Sequence, residues 1–533
     1  MSETKVQVLV VGAGLAGLST TMFLANRGIR VLMVEKRAAT SIHPKAAGQN
    51  PRTMELLRIG GIADEVQRAS DIKGERGDFT IKVAESVGGK VLHTFAESFE
   101  ELVAATADGT PQPWALVAQD RVEPIMLAQA EAHGAITRYA TELVSFEEHA
   151  DGVAAVTRTK ATGEQHTVTA DYLVAADGPH SAIREQLGIS RYGHGTLSQF
   201  VGIIFEADLS SVLPPGSTGW YYLQNPEFTG NFGPTDRPNR HTFFVAYSPE
   251  RGETPEDFTP ERCVELIRIG VNIPDLDPAL LDIQQWEMAA RVAEQWRHGR
   301  VFLAGDAAKV TPPTGGLGGN TAVGDGYDLA WKLASVLTGE AGPGLLDSYE
   351  PERKQVADLV VAESMHVYAS RMAPNLLEEF PEPVGYGEVI LGFRCRSEAV
   401  VITDNDLSPV EDPLCPSGRP GFRAPHVWVR RGGERVSTVD LFGEGWVLIS
   451  ASADAQWAEA AKQVAAELGV SLDTFTLGTE LTDPGGTLVT SYGIGNSGAC
   501  LVRPDGIVAW RAETGPGDPH TTLLTVLKHV LSR

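Results

Sequence analysis

The chain opens on an apolar strand, a glycine turn and an acidic stop, and this arrangement constrains its fold more than anything that follows. Val6 to Val11 reads as a buried parallel strand, and Gly12, Gly14 and Gly17 follow in GxGxxG spacing. Leu15 to Arg27 reads as a helix, and Val31 to Val34 as a second strand that ends at Glu35, 18 residues beyond Gly17. Gly12 permits the tight turn, Gly14 lets the backbone approach a pyrophosphate, and Gly17 lets helix and strand pack closely. Free N–H groups at the helix start, with the positive end of its dipole, hold phosphate oxygens. Glu35 stands where a carboxylate accepts hydrogen bonds from ribose hydroxyls. Glycine turns also join strands to helices where no nucleotide binds. Here strand, helix, second strand and terminal acid are all in register, which predicts an α/β domain that binds an ADP-ribose.

Two later segments bear on which dinucleotide it is. Val301 to Ala304 reads as a strand ending in Gly305-Asp306, and a loop through Pro312, Pro313, Gly315, Gly316, Gly318 and Gly319 enters a helix near Asn320. A carboxylate at a strand end suits the ribitol hydroxyls of a flavin, and the helix start suits its pyrimidine or pyrophosphate. Tyr172 to Ala176 forms a third strand, followed by Asp177-Gly178 and a helix carrying Ser181 and Arg184. Each of these alone reads equally well as a turn in which Asp caps a helix.

In this order and spacing the three segments resemble the para-hydroxybenzoate hydroxylase family of class A flavin monooxygenases, over about residues 5 to 370. The stretches PKAAGQNPRTMELLRIGG (44–61), RYGHGTL (191–197) and DAAKVTPPTGG (306–316) are similar to the aromatic polyketide hydroxylases of actinomycete antibiotic pathways, the anthracycline branch in particular. That likeness runs the length of the chain. It implies non-covalent FAD, NADPH as reductant, and dioxygen. It implies a flavin C4a-hydroperoxide that delivers electrophilic oxygen to a polycyclic aromatic polyketide, such as an anthracycline aglycone.

The cofactor contacts implied are Gly12, Gly14, Leu15, Ala16, Gly17, Glu35, Lys36, Lys45, Gln119, Leu143, Asp177, Asp306, Pro313, Gly316, Gly318, Gly319 and Asn320. Gln119 matches a stretch in which a Gln amide contacts FAD, although it also suits a polar helix cap. Lys45 stands where relatives carry Arg, which keeps the charge and loses bidentate geometry.

The same resemblance supplies two catalytic candidates. Tyr222 lies on an expected roof strand, where a phenol can accept or relay a substrate proton; a packed sheet aromatic explains it equally. Tyr221 points to the opposite face. Arg371 follows a long helix and lines the pocket in the family, where a permanent cation can stabilise a phenolate or an ester carbonyl. It also suits the negative end of that helix.

Composition agrees with an enzyme of this kind. At 533 residues the chain exceeds a single core, and 42% hydrophobic content with 56 Gly and 32 Pro fits a loop-rich α/β protein. A net charge of −25 argues against nucleic acid as a partner. The polar start and the lack of a long apolar run suggest neither signal peptide nor membrane span, hence a cytoplasmic enzyme, monomer or homodimer. Four scattered cysteines and unspaced histidines suggest no metal site.

The expected organisation is a Rossmann-like FAD-binding domain (1–75, 100–180 and 285–395) and a β-sheet substrate domain (76–99 and 181–284). In the latter, Phe200–Ala207, Thr218–Leu223 and His241–Ser248 read as strands of an antiparallel sheet. A thioredoxin-like C-terminal domain (396–533) follows, without the CxxC that redox chemistry needs. Its expected elements are strands Ser437–Leu441, Trp446–Ser450 and Leu472–Leu477, helices 455–468 and Thr521–Leu531, and a hairpin through Arg503-Pro504-Asp505-Gly506.

Three other functions fit parts of the pattern. A flavin halogenase shares the glycine turn, but residues 219–226 lack its second Trp and Ile-Pro. A Baeyer–Villiger oxygenase on the same scaffold, or a non-catalytic flavoprotein that binds a polyketide intermediate, stays open.

Overall fold

The computed structural model describes residues 3–43, 45–70, 79–96, 103–104, 106–213, 218–235, 237, 239–380, 382–451, 456–515 and 517–533. The turn after Leu213, Asp236, Pro238, Ala455 and parts of the expected 76–99 insertion lie outside the described residues.

Val8–Val11 is buried at every position and sits inside a sheet, parallel to Val31–Val34 on one side and to Tyr172–Ala175 on the other. Val301–Leu303 extends the sheet beyond Tyr172–Ala175, and Ile136–Arg138 extends it beyond Val31–Val34, both in parallel. Continuous apolar strands of this kind need cover on both faces. Helices Leu15–Asn26 and Gly318–Thr338 contribute Leu18, Met22, Phe23, Leu329 and Leu333 to the core on these strands. A four-stranded sheet containing Thr141–His149 and Gly152–Thr159 joins the same core through Phe146, Val153 and Ala155. Three parallel strand ends, at Gly12, Asp177 and Gly305, therefore stand side by side, and the functional groups follow them.

An eight-stranded sheet stands over this body. Its order is Lys309–Val310, Ala279–Ala293, Arg191–Glu206, Arg240–Tyr247, Thr229–Pro234, Thr218–Gln224, Phe79–Ala84 and Val91–Ala96. The expected antiparallel sheet is present with one exception, because Thr218–Gln224 pairs with Phe79–Ala84 in parallel. These two strands come from remote segments, and no hairpin forces them to run in opposite directions. Ala279–Ala293 runs through position 284 and pairs with Arg191–Glu206 along nearly all its length. Helix Pro260–Val271, which sequence reading passed over, covers one face with Cys263, Leu266, Ile267 and Val271. Its signals were there: Thr259 caps it through the N–H of Arg262, Pro260 occupies the first turn, and Asn272 ends it in the left-handed conformation.

The C-terminal unit has Trp446–Ser450 at its centre, parallel to Leu472–Thr476 and antiparallel to Ala499–Val502, which turns into Val508–Ala512. Helices Gln456–Leu468 and Pro519–Val530 complete the thioredoxin-like arrangement. Ser437–Leu441 is not a strand. The strand is Glu434–Ser437, and a capping box between Ser437 and Asp440 bends Thr438–Leu441 into a 3-10 turn.

This unit grips the nucleotide-binding body through buried charge. Arg503 donates to both oxygens of Glu352 at 2.6 and 2.8 Å, and Lys332 reaches Glu352 and Asp328 at 2.8 and 2.9 Å. Arg423 pairs with buried Glu55 through Nε at 3.0 Å, and Arg27, at the end of the first helix, donates to the Gly443 carbonyl at 2.6 Å. The carboxyls of Asp328, Glu352 and Asp505 converge on one point, which the Arg503 guanidinium and the Lys332 ammonium already occupy.

Candidate functional site

The glycine turn has the geometry its spacing predicts. Gly12 takes φ +108°, and a Cβ at Gly17 would lie 1.9 Å from the Gly12 carbonyl oxygen, so neither position accepts a side chain. A Cβ at Gly14 would meet no atom within 4 Å, so the backbone there is open to a ligand. No side chain caps the helix that starts at Leu15, so the N–H groups of Leu15, Ala16 and Gly17 have no cap to bind. A helix start left uncapped beside an open glycine is built for an anion.

The other cofactor candidates gather around it. Gly319 packs against Leu15 and Ala46, which brings the start of helix Gly318–Thr338 next to the start of the first helix. Gly316 is left-handed at φ +65° and closes the 3-10 turn Pro313–Gly315 just before that start. Gly305 packs against Ala16, so Asp306 stands beside the same turn. Asp306 and Lys45 are exposed, yet enclosed by enough protein that burial raises the Asp306 carboxyl and lowers the Lys45 ammonium. Exposure combined with such enclosure marks the walls of a deep cleft.

Three candidates have protein partners of their own. Glu35 accepts the Ala13 N–H with one oxygen and the Arg37 N–H with the other, both at 2.8 Å, so it braces the glycine turn. Gln119 begins its helix and donates to Glu123 at 2.6 Å, while its backbone N–H binds the Ala46 carbonyl. Asp177 accepts the Ile183 N–H through Oδ2, which makes it a helix-start acceptor, and its Oδ1 is buried without a partner among the described residues. Lys36 is exposed, and Leu143 lies half-buried on strand Thr141–His149, whose first N–H binds the Glu35 carbonyl; both sit on the outer rim beside Glu35.

Tyr222 and Arg371 meet although they come from different layers. Arg371 ends helix Tyr349–Met372 and donates through Nη1 to the Tyr222 hydroxyl at 3.3 Å and to the Thr314 carbonyl at 3.1 Å. Its guanidinium also lies 5.5 Å from the centre of the Phe95 ring and 5.8 Å from that of Tyr222. Ile81, Val83 and Tyr222 form a small apolar cluster, with Trp220 and Met372 against it. One cation thus joins the roof sheet to the Pro313–Gly316 loop.

Sequence reading missed the residues behind this loop. Asn50 donates its N–H to Asn320 Oδ1 at 2.8 Å and caps helix Pro51–Ile59 through the Thr53 N–H. Asp325 accepts Lys309 Nζ at 2.8 Å and the Gly305 N–H at 3.2 Å through one oxygen, and Arg353 Nε at 2.8 Å through the other. Burial alone would raise the Asp325 carboxyl, but Lys309 and Arg353 hold it below the ordinary carboxylate value. Asp325 therefore fixes the residue that precedes Asp306.

Comparison with known proteins agrees with this geometry. Residues 5–364 match the FAD binding domain family, and residues 417–533 match the C-terminal region of aromatic-ring hydroxylases. Aklavinone 12-hydroxylase RdmE of Streptomyces purpurascens is 60% identical over the full length of both chains. Aklavinone 12-hydroxylase DnrF of Streptomyces peucetius is 65% identical over 86% of this chain and 94% of its own. The solved ternary complex of aklavinone-11 hydroxylase with FAD and aklavinone superposes with a TM-score of 0.96 at 60% identity, covering all of both chains. The flavin-dependent monooxygenase PieE, solved with FAD and substrate, superposes at 0.86 with 28% identity over all of both chains.

Proposed function

The chain belongs to the FAD-binding aromatic-ring hydroxylases, and from that premise we propose that it hydroxylates an anthracycline aglycone, aklavinone or a near relative, with NADPH and dioxygen as co-substrates. The observation that carries this reading is the Arg371–Tyr222 pair beside the Pro313–Gly316 loop. It offers an aromatic, partly enclosed site with one fixed cation and one phenol.

The residues present fit FAD. The uncapped helix start with Gly14 would hold the pyrophosphate, Glu35 with the rim residues Lys36 and Leu143 the adenosine ribose, and Asp306 the ribityl chain. Lys45, Gln119, Asp177, Pro313, Gly316, Gly318, Gly319 and Asn320 would supply the remaining contacts. Bound FAD, once reduced and exposed to dioxygen, supplies the electrophilic oxygen. The Tyr222 hydroxyl would hydrogen-bond a substrate phenol, and the Arg371 cation would favour the ionised form of that phenol, its proton leaving to solvent. The apolar roof excludes water during transfer. We take the first two units to hold FAD and substrate respectively, and the C-terminal unit to act as a brace. We take the protein to be a monomer or homodimer.

The relatives' names give the new hydroxyl as 11 or 12. Aklavinone supplied with NADPH and isotopically labelled dioxygen tests the reading. The expected product carries one labelled oxygen as a ring hydroxyl, located by NMR. Insertion of oxygen into a ring bond, or binding without NADPH consumption, overturns it.

A further inference from the structure

Asn231 of the roof sheet has an acceptor with no partner among the described residues. Cross-strand register puts Val83, Tyr222, Asn231, Phe244 and Gly202 in one row, and directly paired residues point to the same face. The alternate residues Tyr221, Phe232 and Phe243 pack with helix Pro260–Val271 on the opposite face. Asn231 therefore shares the Tyr222 face, one strand away. Its surroundings are aromatic: Trp220 lies 6.0 Å from Phe244, which meets Trp286 edge-on at 5.6 Å, and Trp286 stacks on Phe200 at 4.7 Å.

Asn231 is 5% exposed, and its Oδ1 is buried with no hydrogen-bond partner among the described residues. Buried side-chain acceptors are nearly always paired, by protein or by something bound. A hydrophobic residue would pack this face without desolvating an amide, so the acceptor is better explained by a ligand than by packing. A carbonyl-type oxygen discriminates by chemistry, since it pairs with a hydroxyl and not with an ether or ketone.

On the reading above, we propose that Asn231 is a specificity residue. Its Oδ1 accepts a hydrogen bond from a second hydroxyl of a polyphenolic substrate whose first phenol lies at Tyr222 and Arg371. The preferred substrates then carry two hydroxyls along one edge of a fused-ring system.

The test uses the full-length holoenzyme with aklavinone and derivatives in which each hydroxyl is methylated in turn. Binding is read from the flavin absorbance change, and turnover from product. Wild type is expected to lose about 10–100-fold in affinity for one derivative beyond any that blocks the phenol at Tyr222. Asn231→Leu should lose about as much with aklavinone itself, keep its FAD, and show no further loss with that derivative. Asn231→Ala should behave alike, which separates a lost acceptor from a steric clash by Leu.

Equal losses with every derivative, or no loss in either variant, overturn the proposal. A wild type that tolerates every methylation overturns it without any variant. If wild type fails to bind aklavinone, the substrate reading falls and takes this inference with it. Tight wild-type binding with indifferent variants removes the inference alone.

Discussion

Arg371 directs a guanidinium N–H at the Tyr222 hydroxyl from 3.3 Å, joining residues 149 positions apart. The contact leaves the phenol oxygen free to donate its own proton or to accept one from a ligand. Tyr222→Phe and Arg371→Gln should both keep FAD content and substrate affinity near native. Each should lower hydroxylated product by about 10²–10⁴-fold, with NADPH oxidation continuing and hydrogen peroxide appearing instead. Parallel assays of NADPH, product and peroxide check this. Native coupling in both variants would make the pair a packing contact.

Asp306 and Asp325 should separate contact from support. Asp306→Ala removes the acceptor that faces the cleft, and charged hydrogen bonds are worth about 1.5–3 kcal/mol. FAD dissociation measured by fluorescence should rise by one to two orders of magnitude, with the apoprotein's melting temperature nearly unchanged. Asp325→Asn leaves Lys309 and Arg353 buried without their anion, so it should weaken FAD binding and lower the melting temperature together.

The cluster between the body and the C-terminal unit should give a pH signature. It holds three carboxyls, Asp328, Glu352 and Asp505, against two cations, Lys332 and Arg503. Arg503 and Lys332 overcome burial to hold Glu352 ionised well below the ordinary range. Burial, with neighbouring Glu352 and Asp505, raises Asp328 to about 6. A carboxyl raised on folding binds its proton more tightly in the native state, so its contribution to stability is fullest below the unfolded value and declines as pH rises toward about 6. Melting temperature should therefore fall between about pH 4 and about pH 6, and Asp328→Asn should flatten that slope. A slope that survives the substitution assigns the proton elsewhere.

Thiol chemistry should be absent from the C-terminal unit. Cys500 is fully buried, and burial pushes its thiol up to about 12, whereas Cys415 is exposed on the preceding linker. Replacing both by Ser should leave hydroxylation and FAD content unchanged in a protein that remains folded. Lost turnover with retained flavin and stability would show a redox role.

Local signals were legible because their physics is local. Gly12 takes a positive φ within its own turn, and Gly17 closes on the Gly12 carbonyl only five residues away. Asp306 and Asn320 followed from the same strand–loop–helix logic. Asn50, Asp325 and Asn231 were invisible because their meaning comes from cross-strand or helix–helix register, which spacing along the chain does not encode. Glu35 was expected to meet a ribose; the partners the structure gives it are the Ala13 and Arg37 N–H groups. The parallel pair Thr218–Gln224 with Phe79–Ala84 was missed for the same cause, since the two strands are remote in sequence.

The grip of Arg503, Arg423 and Gly443 on residues of the nucleotide-binding body bears on the order of events during synthesis. The glycine fingerprint's strand finds Val31–Val34 on one side early, but its other neighbour arrives only with Tyr172–Ala175. The buried anions Glu55 and Glu352 have Arg52 and Lys332 close by in sequence, but gain Arg423 and Arg503 only later. A nascent chain is thus committed early to a shape that it completes last, and truncation near the end strands buried charge close to the beginning.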